Sequence, residues 1–273
     1  MFSERNAMKT RVISASVLIV ITICCMILPI TRVLYLSAAA LLCSFEMHGA
    51  LTKAKIRHAP VVLYVYVIGS AVLCCLSVSD VYLFGWFVLA VFGALTWCIA
   101  DTTIGAHGAL ATLAALVYPL FLFTVITRIS RMEGWLAVFI IACLATWCCD
   151  SFALFGGKRF GKHKLAPAVS PNKTVEGTIC GAVSSLVAGL VSYLILKYIH
   201  DVPLVTCLIT SLVASSFGQI GDLAASLFKR MAGLKDYSNL IPGHGGMLDR
   251  ADSLLFSIPT AFICLCLAGF FKI

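Results

Sequence analysis

Long apolar runs recur along almost the whole chain, separated by short polar stretches. About 20 consecutive apolar residues suffice for a helix to cross a bilayer. Nine runs approach or exceed that length, and several are separated by only a few residues. The pattern therefore predicts an all-α integral membrane protein, a polytopic bundle of about nine transmembrane helices. The predicted helices cover residues 12–30, 33–49, 61–79, 81–100, 109–127, 135–155, 176–199, 202–227 and 253–272.

Composition strengthens this interpretation. The chain of 273 residues is 61% hydrophobic and 12% charged, and its mean hydropathy is +1.02. These values exclude a soluble domain of ordinary composition. We expect one continuous membrane domain in which residues 1–134 are mainly scaffold and residues 135–273 carry the chemistry. Polar groups in the first part, such as Glu46 and His48 or Asp101 and His107, are interpreted as helix ends that meet headgroups and water.

The distribution of basic residues predicts the orientation of the bundle. With the N-terminus in the cytoplasm, alternating helices place 15 of the 20 lysines and arginines in cytoplasmic segments. This is the positive-inside bias, which also explains the net charge of +8 without nucleic-acid binding. The cytoplasmic residues include Arg5, Lys9 and Arg11, whereas Lys272 falls outside. The first apolar run is longer than a signal-peptide core and is predicted to be retained.

The thirteen cysteines indicate packing rather than chemistry. They are scattered through apolar runs, and no two have the Cys-x-x-Cys spacing of a metal or redox site. We interpret them as small apolar residues.

Polar chemistry is concentrated between residues 218 and 253. Along the helix predicted at 202–227, one face runs from Gly218 through Asp222 and Ser226 to Arg230 at four-residue spacing. A carboxylate at this position requires a metal ion or a basic partner, and an ion pair with Lys229 or Arg230 is the structural alternative.

A glycine-rich loop precedes the last predicted helix. His244, Gly245 and Gly246 are followed by Asp249, Arg250 and Asp252. Glycines allow backbone amides to approach an anion closely. The two acids are spaced to face one direction at the helix start. Helix capping explains either Asp alone, but it does not easily explain two acids, an arginine and a preceding His-Gly-Gly together.

A second polar cluster begins with Asp150 and includes the basic run from Lys158 to Lys164. The run is interpreted either as an anionic-lipid surface or as part of a site. Ser170 and Pro171 then deliver Lys173 just before a helix. Within that helix, small residues at four-residue spacing predict a close helix–helix contact. They are Gly177, Gly181, Ser185 and Gly189.

Together, the clusters favour phosphoryl or nucleotidyl transfer. Carboxylates with substrate phosphates form the usual magnesium shell, and basic side chains hold phosphate oxygens. In such reactions a metal ion and cations stabilise the developing charge.

The polar motifs resemble those of the phosphatidate cytidylyltransferase (CDP-diacylglycerol synthase) family. The resemblance rests on Ser226-x-x-Lys229-Arg230, Lys235-Asp236 and His244-Gly245-Gly246-x-x-Asp249-Arg250-x-Asp252. An upstream block is also similar, and it contains Asp150, Gly161-Lys162-His163-Lys164, Ser170-Pro171-Asn172-Lys173-Thr174 and Glu176-Gly177. These matches cover roughly the C-terminal half of the chain.

The resemblance implies Mg²⁺-dependent transfer of CMP from CTP to phosphatidic acid at a bacterial inner membrane. Expected partners are CTP, phosphatidic acid and membrane lipids, with a homodimer as an open alternative and no nucleic acid. The expected catalytic residues are Asp222, Lys229, Arg230, His244, Asp249 and Arg250. Those expected to bind substrate are Ser170, Lys173, Thr174, Ser226, Lys235, Gly245 and Gly246. The expected magnesium ligands are Asp222 and Asp249, supported by Asp150 and Asp252.

Two rival functions remain open at this level. A related enzyme, either a polyprenol or phytol kinase or a cytidylyltransferase for an ether lipid, would use similar motifs. A cation-coupled transporter would use Asp150 and Asp222 as an intramembrane ion site, although the sequence contains no sign of inverted repeats. A purely structural membrane protein leaves Asp222 and the glycine-rich loop unexplained.

Overall fold

A computed structural model describes the backbone of residues 2–271 and the side chains of residue 14 and residues 16–271. Arg5, Lys9, Arg11 and Lys272, which enter the orientation prediction, lie outside the described side chains. The described chain is mainly helical, which confirms the predicted all-α class. Its helices are α1 Phe2–Ile27, α2 Pro29–Lys53, α3 Pro60–Cys75, α4 Asp80–Ala100, α5 Gly105–Ala115, α6 Leu122–Ile129, α7 Trp135–Phe160, α8 Val175–Leu196, α9 Leu204–Met231 and α10 Leu248–Leu267.

The helix lengths agree with a polytopic membrane protein. Among the described residues, seven helical stretches are long and apolar enough to cross a membrane, and α5 and α6 count together as one of them. Two further apolar helices, Ser16–Ile27 and Pro60–Cys75, are shorter. Many large apolar side chains on these helices are exposed, among them Ile23, Phe84 and Val187. Such exposure suits a chain whose outer surface meets lipid.

The chain divides into two compact units. The first unit contains Met1–Arg131 and Phe228–Arg250, and the second contains Met132–Leu227 and Ala251–Ile273. In the first unit, α2 is central and buries apolar side chains from Val33 to Leu51. In the second unit, α7 packs along α8.

The fifth predicted helix is interrupted, so its prediction as one continuous helix is wrong. Tyr118 has an extended conformation, with φ −121° and ψ 116°, in the segment between α5 and α6. Pro119 follows it, and a proline disfavours helical geometry at the preceding residue. The residue that interrupts the helix, Pro119, was therefore visible in the sequence.

A short hairpin, which the sequence analysis did not predict, precedes α8. Strands β1 (Lys164–Ala166) and β2 (Ser170–Thr174) pair antiparallel, with Lys164 opposite Thr174. The Thr174 hydroxyl then accepts a hydrogen bond from the Gly177 amide at 3.2 Å and caps α8. The hairpin thus leads directly into the helix and places Lys173 next to its N-cap.

The small-residue stripe of α8 forms the close helix contacts predicted for it. A Cβ added at Gly181 would lie 2.8 Å from the Cys149 carbonyl oxygen of α7. A Cβ at Gly189 would lie 2.9 Å from the Cys207 carbonyl oxygen of α9. Only a residue without a side chain permits these backbones to approach so closely.

We predict that Gly181→Ala lowers the stability of the protein by about 1–3 kcal/mol, because the methyl group must displace helix α7. Gly93→Ala is the matched control, since a Cβ there meets no heavy atom of the described residues within 4 Å. Thermal unfolding in detergent should show a lower midpoint for Gly181→Ala and an unchanged or higher midpoint for Gly93→Ala. Equal midpoints would contradict the packing assignment.

Candidate functional site

A buried carboxylate organises the polar part of the first unit. Asp249 lies in the first turn of α10, and its side chain is 3% exposed. Its Oδ1 accepts a hydrogen bond from Lys229 Nζ at 2.7 Å. Its Oδ2 accepts hydrogen bonds from the backbone amides of Tyr237 and Gly246, each at 2.9 Å. Asp249 therefore connects the end of α9, the following loop and the start of α10.

Lys229 is held in place from two sides. Its side chain is 10% exposed, and its ammonium group lies 5.6 Å from the centre of the Tyr237 ring in addition to pairing with Asp249. A buried charge is costly unless it is paired and hydrogen-bonded. Each of the two charges can therefore be buried only because the other one is paired with it.

The glycine-rich loop is a tight turn in which two positions require glycine, each for a different reason. The Ile241 amide donates to the Gly245 carbonyl oxygen at 2.9 Å, which closes the turn. Gly245 has φ +84°, a conformation that side chains disfavour. A Cβ at Gly246 would lie 2.4 Å from Glu46 Oε1. The Gly246 amide itself is engaged by Asp249.

Glu46 is a buried acid of α2 and not the helix-end group that its sequence position predicted. It lies in α2, only 3% exposed, rather than at a solvated helix end. Its carboxylate accepts hydrogen bonds from the Ser238 hydroxyl at 2.6 Å and from the Met247 and Leu248 amides at 2.8 and 2.7 Å. A glutamate inside a predicted apolar helix was the available signal, since intramembrane ionisable residues usually have a role.

An open pocket of about 480 Å³ lies in the first unit beside this loop. A volume of this size falls within the usual range of roughly 300–1,000 Å³ for small-molecule sites. The His244 ring, one of its walls, is in contact through Nδ1 with the Ser14 hydroxyl of α1 at 2.9 Å. The pocket is lined by Lys235, Asp236, Asn239, Gly243, His244, Gly245 and Arg250.

The second unit contains its own polar cluster. Lys173 Nζ lies 2.6 Å from Asp222 Oδ2, and both side chains are about a quarter to a third exposed. Asp150 in α7 interacts electrostatically with both residues. Asp222 thus has a basic partner, as expected for a carboxylate on an apolar helix. That partner comes from strand β2 of the hairpin and not from the same helix face, where Lys229 and Arg230 lie.

The remaining predicted site residues take several environments. Ser170 and Thr174 are at the two ends of β2, and Ser226 is buried in α9. Arg230 is exposed, and its guanidinium group donates a hydrogen bond to the Leu234 carbonyl oxygen. In the second unit, Asp252 Oδ1 accepts a hydrogen bond from the Ser253 amide at 2.7 Å. The substrate and catalytic roles assigned to these residues stay predictions.

The carboxylates differ in how well they suit a magnesium ion. Among the described residues, no group of three or more His, Cys, Asp or Glu side chains is placed to hold a metal. Asp150 and Asp222 form a pair of acids beside a single lysine. Two carboxylates with substrate phosphates are a common magnesium shell. In Asp249, both oxygens already accept hydrogen bonds.

Comparison with known proteins gives a family match across nearly the whole chain. The model described as "Cytidylyltransferase family" matches residues 9–268. A phosphatidate cytidylyltransferase of Bacillus subtilis (strain 168) is 42% identical over 157 residues, or 57% of each chain. Phosphatidate cytidylyltransferases of Staphylococcus saprophyticus and Staphylococcus aureus (strain COL) are each 44% identical over 136 residues, 50% of this chain and 51% of theirs. The chain spans about half the length of the curated relatives it matches.

We predict that Asp249→Asn lowers the free energy of unfolding by about 3 kcal/mol, because Lys229 stays buried without its counter-charge. Asp80→Asn is the control, since Asp80 pairs with Arg128 but its side chain is 68% exposed. An exposed pair of this kind is worth about 1 kcal/mol or less. Thermal unfolding in detergent measures both, and similar losses in the two variants would contradict a buried, stability-determining pair.

Proposed function

Because this chain belongs to the cytidylyltransferase family, we propose that it transfers CMP from CTP to phosphatidic acid, yielding CDP-diacylglycerol and pyrophosphate. The observation that carries the proposal is the open pocket lined by Lys235, His244 and Arg250. Its cations suit phosphate oxygens, and its volume suits a nucleotide. The names of the relatives supply the lipid acceptor.

In this proposal the pocket of the first unit binds the nucleotide. Lys235 and Arg250 are exposed at its walls, so their charges are free to meet the triphosphate on entry. Arginine forms two parallel hydrogen bonds to a phosphate, whereas lysine acts as a point charge. Asn239 and Asp236 supply polar groups that a cytosine or ribose can contact.

Asp150 and Asp222 are the residues that would hold Mg²⁺. When bound there, Mg²⁺ would neutralise charge on the phosphate oxygens. Lys173 contacts Asp222 and would supply positive charge for a substrate phosphate beside it. For Asp249, the hydrogen bonds to both oxygens favour a positioning role over the ligand role implied by the resemblance.

The chemical step requires no strong protein base. A phosphomonoester carries roughly −1.5 to −2 charges near neutral pH, so its oxygen is already a nucleophile. That oxygen attacks the α-phosphorus of CTP and forms a new phosphoanhydride bond. The bond between the α-phosphorus and the bridging oxygen breaks, and pyrophosphate leaves with its electron pair. Lys235 and Arg250 of the first unit stabilise charge on the phosphate oxygens of the nucleotide.

The proposal also includes the orientation of the protein in the membrane and its oligomeric state. CTP is a cytosolic nucleotide, and the positive-inside bias supports a cytoplasmic location for the polar clusters. A bacterial plasma membrane suits the organisms of the relatives. The lipid would enter from the bilayer side. A homodimer stays a prediction.

We predict that purified protein converts α-labelled CTP to lipid-linked CMP only when phosphatidic acid and Mg²⁺ are both present. Asp222→Asn should lower the rate at least about 100-fold through lost charge stabilisation. Asp201→Asn, an exposed acid in the loop between α8 and α9 of the same unit, is the control and should keep the wild-type rate.

Failure of folded wild type with every phosphorylated lipid would remove the cytidylyltransferase proposal. Ion flux without nucleotide turnover would then favour the transporter. Turnover with a polyprenol or an ether lipid, but not with phosphatidic acid, would identify the related enzyme instead.

The assignment of Mg²⁺ to Asp150 gives a separate prediction. Asp150→Asn should raise the Mg²⁺ concentration for half-maximal rate about tenfold, because one carboxylate ligand is lost. Excess Mg²⁺ should restore most of the rate. The rate is measured across a Mg²⁺ titration with CTP saturating, and an unchanged half-maximal concentration would contradict the assignment.

A further inference from the structure

We infer that Glu46 is a positioning residue that holds the walls of the nucleotide pocket in place from helix α2. The inference rests on the proposed function and extends it to the N-terminal part of the chain. All residues involved belong to the first unit.

The Glu46 carboxylate is buried, and it is hydrogen-bonded to the loop that follows α9 and to the start of α10. It is 3% exposed, and it accepts hydrogen bonds from the Ser238 hydroxyl and the Met247 and Leu248 amides at 2.6–2.8 Å. Hydrogen bonds to a charged acceptor are the strong ones in proteins. Three of them to one buried carboxylate make a stiff attachment.

The positions of the donors connect this attachment to the pocket. Ser238 stands between Asp236 and Asn239, which both line the pocket. Met247 and Leu248 stand between Gly245 and Arg250, which also line it. Glu46 therefore holds the wall-forming segment near both of its ends, although Glu46 itself is not a lining residue.

The backbone around the carboxylate is shaped to admit it. A Cβ at Gly246 would come within 2.4 Å of Oε1, so a side chain there would displace Glu46. The Leu248 amide belongs to the first turn of α10, whose amides have no partner within the helix. A negative charge at that end is also favoured by the helix dipole. Glu46 thus orients the first turn of α10 and, with it, Arg250.

Glu46→Gln tests the inference, because it keeps the size of the side chain but replaces one acceptor oxygen with an NH₂ donor. We expect the KM for CTP to rise about tenfold, with a smaller change in kcat and no change in the KM for phosphatidic acid. Ser238→Ala removes one of the three donors and should raise the same KM less. Glu133→Gln, an exposed glutamate in the second unit, is the matched control.

A second measurement separates this inference from the proposed function. Hydrogen exchange of the segment 236–250, followed by mass spectrometry, should be faster in Glu46→Gln and unchanged in Glu133→Gln. This measurement requires no enzymatic activity. An inactive wild type would therefore rule out the proposed function, whereas the exchange rates would still test the positioning role of Glu46. A lower melting temperature with unchanged exchange in that segment and an unchanged KM for CTP would overturn the inference.

Discussion

The buried pair between Lys229 and Asp249 is the interaction on which the polar architecture of the first unit depends. Neither charge is tolerable alone at such low exposure, and together they connect the end of α9 to the start of α10. The second oxygen of Asp249 then binds the Tyr237 and Gly246 amides, which closes the intervening loop. The cationic pocket is a consequence of this closure, because its walls come from the same loop.

Close backbone packing has the corresponding role in the second unit. A Cβ at Gly221 would lie 2.5 Å from the Asp252 carbonyl oxygen, so α9 and α10 approach each other next to Asp222. Glycines of α8 bring that helix against α7, which carries Asp150. In a membrane, such packing replaces the hydrophobic driving force that holds soluble helices together. The acidic pair therefore rests on rigid, closely packed helices.

Glu46 changes the interpretation of the N-terminal helices. Three hydrogen bonds join it to the loop that follows α9 and to the start of α10. The N-terminal part of the chain thus supplies a specific contact in addition to a scaffold. Binding constellations generally require such support, because a small displacement of a phosphate-binding side chain costs much of its effect.

The sequence by itself determined the membrane class, the helices and the residue types of the candidate site, because apolar run lengths and motif spacings are local properties. It also contained the signals for the break at Pro119 and for the close packing of Gly181. Only the tertiary structure decided the partners: Lys173 for Asp222, Lys229 for Asp249, and Glu46 for the loop. These pairs join residues far apart in the chain, and their choice depends on packing, which periodicity does not encode.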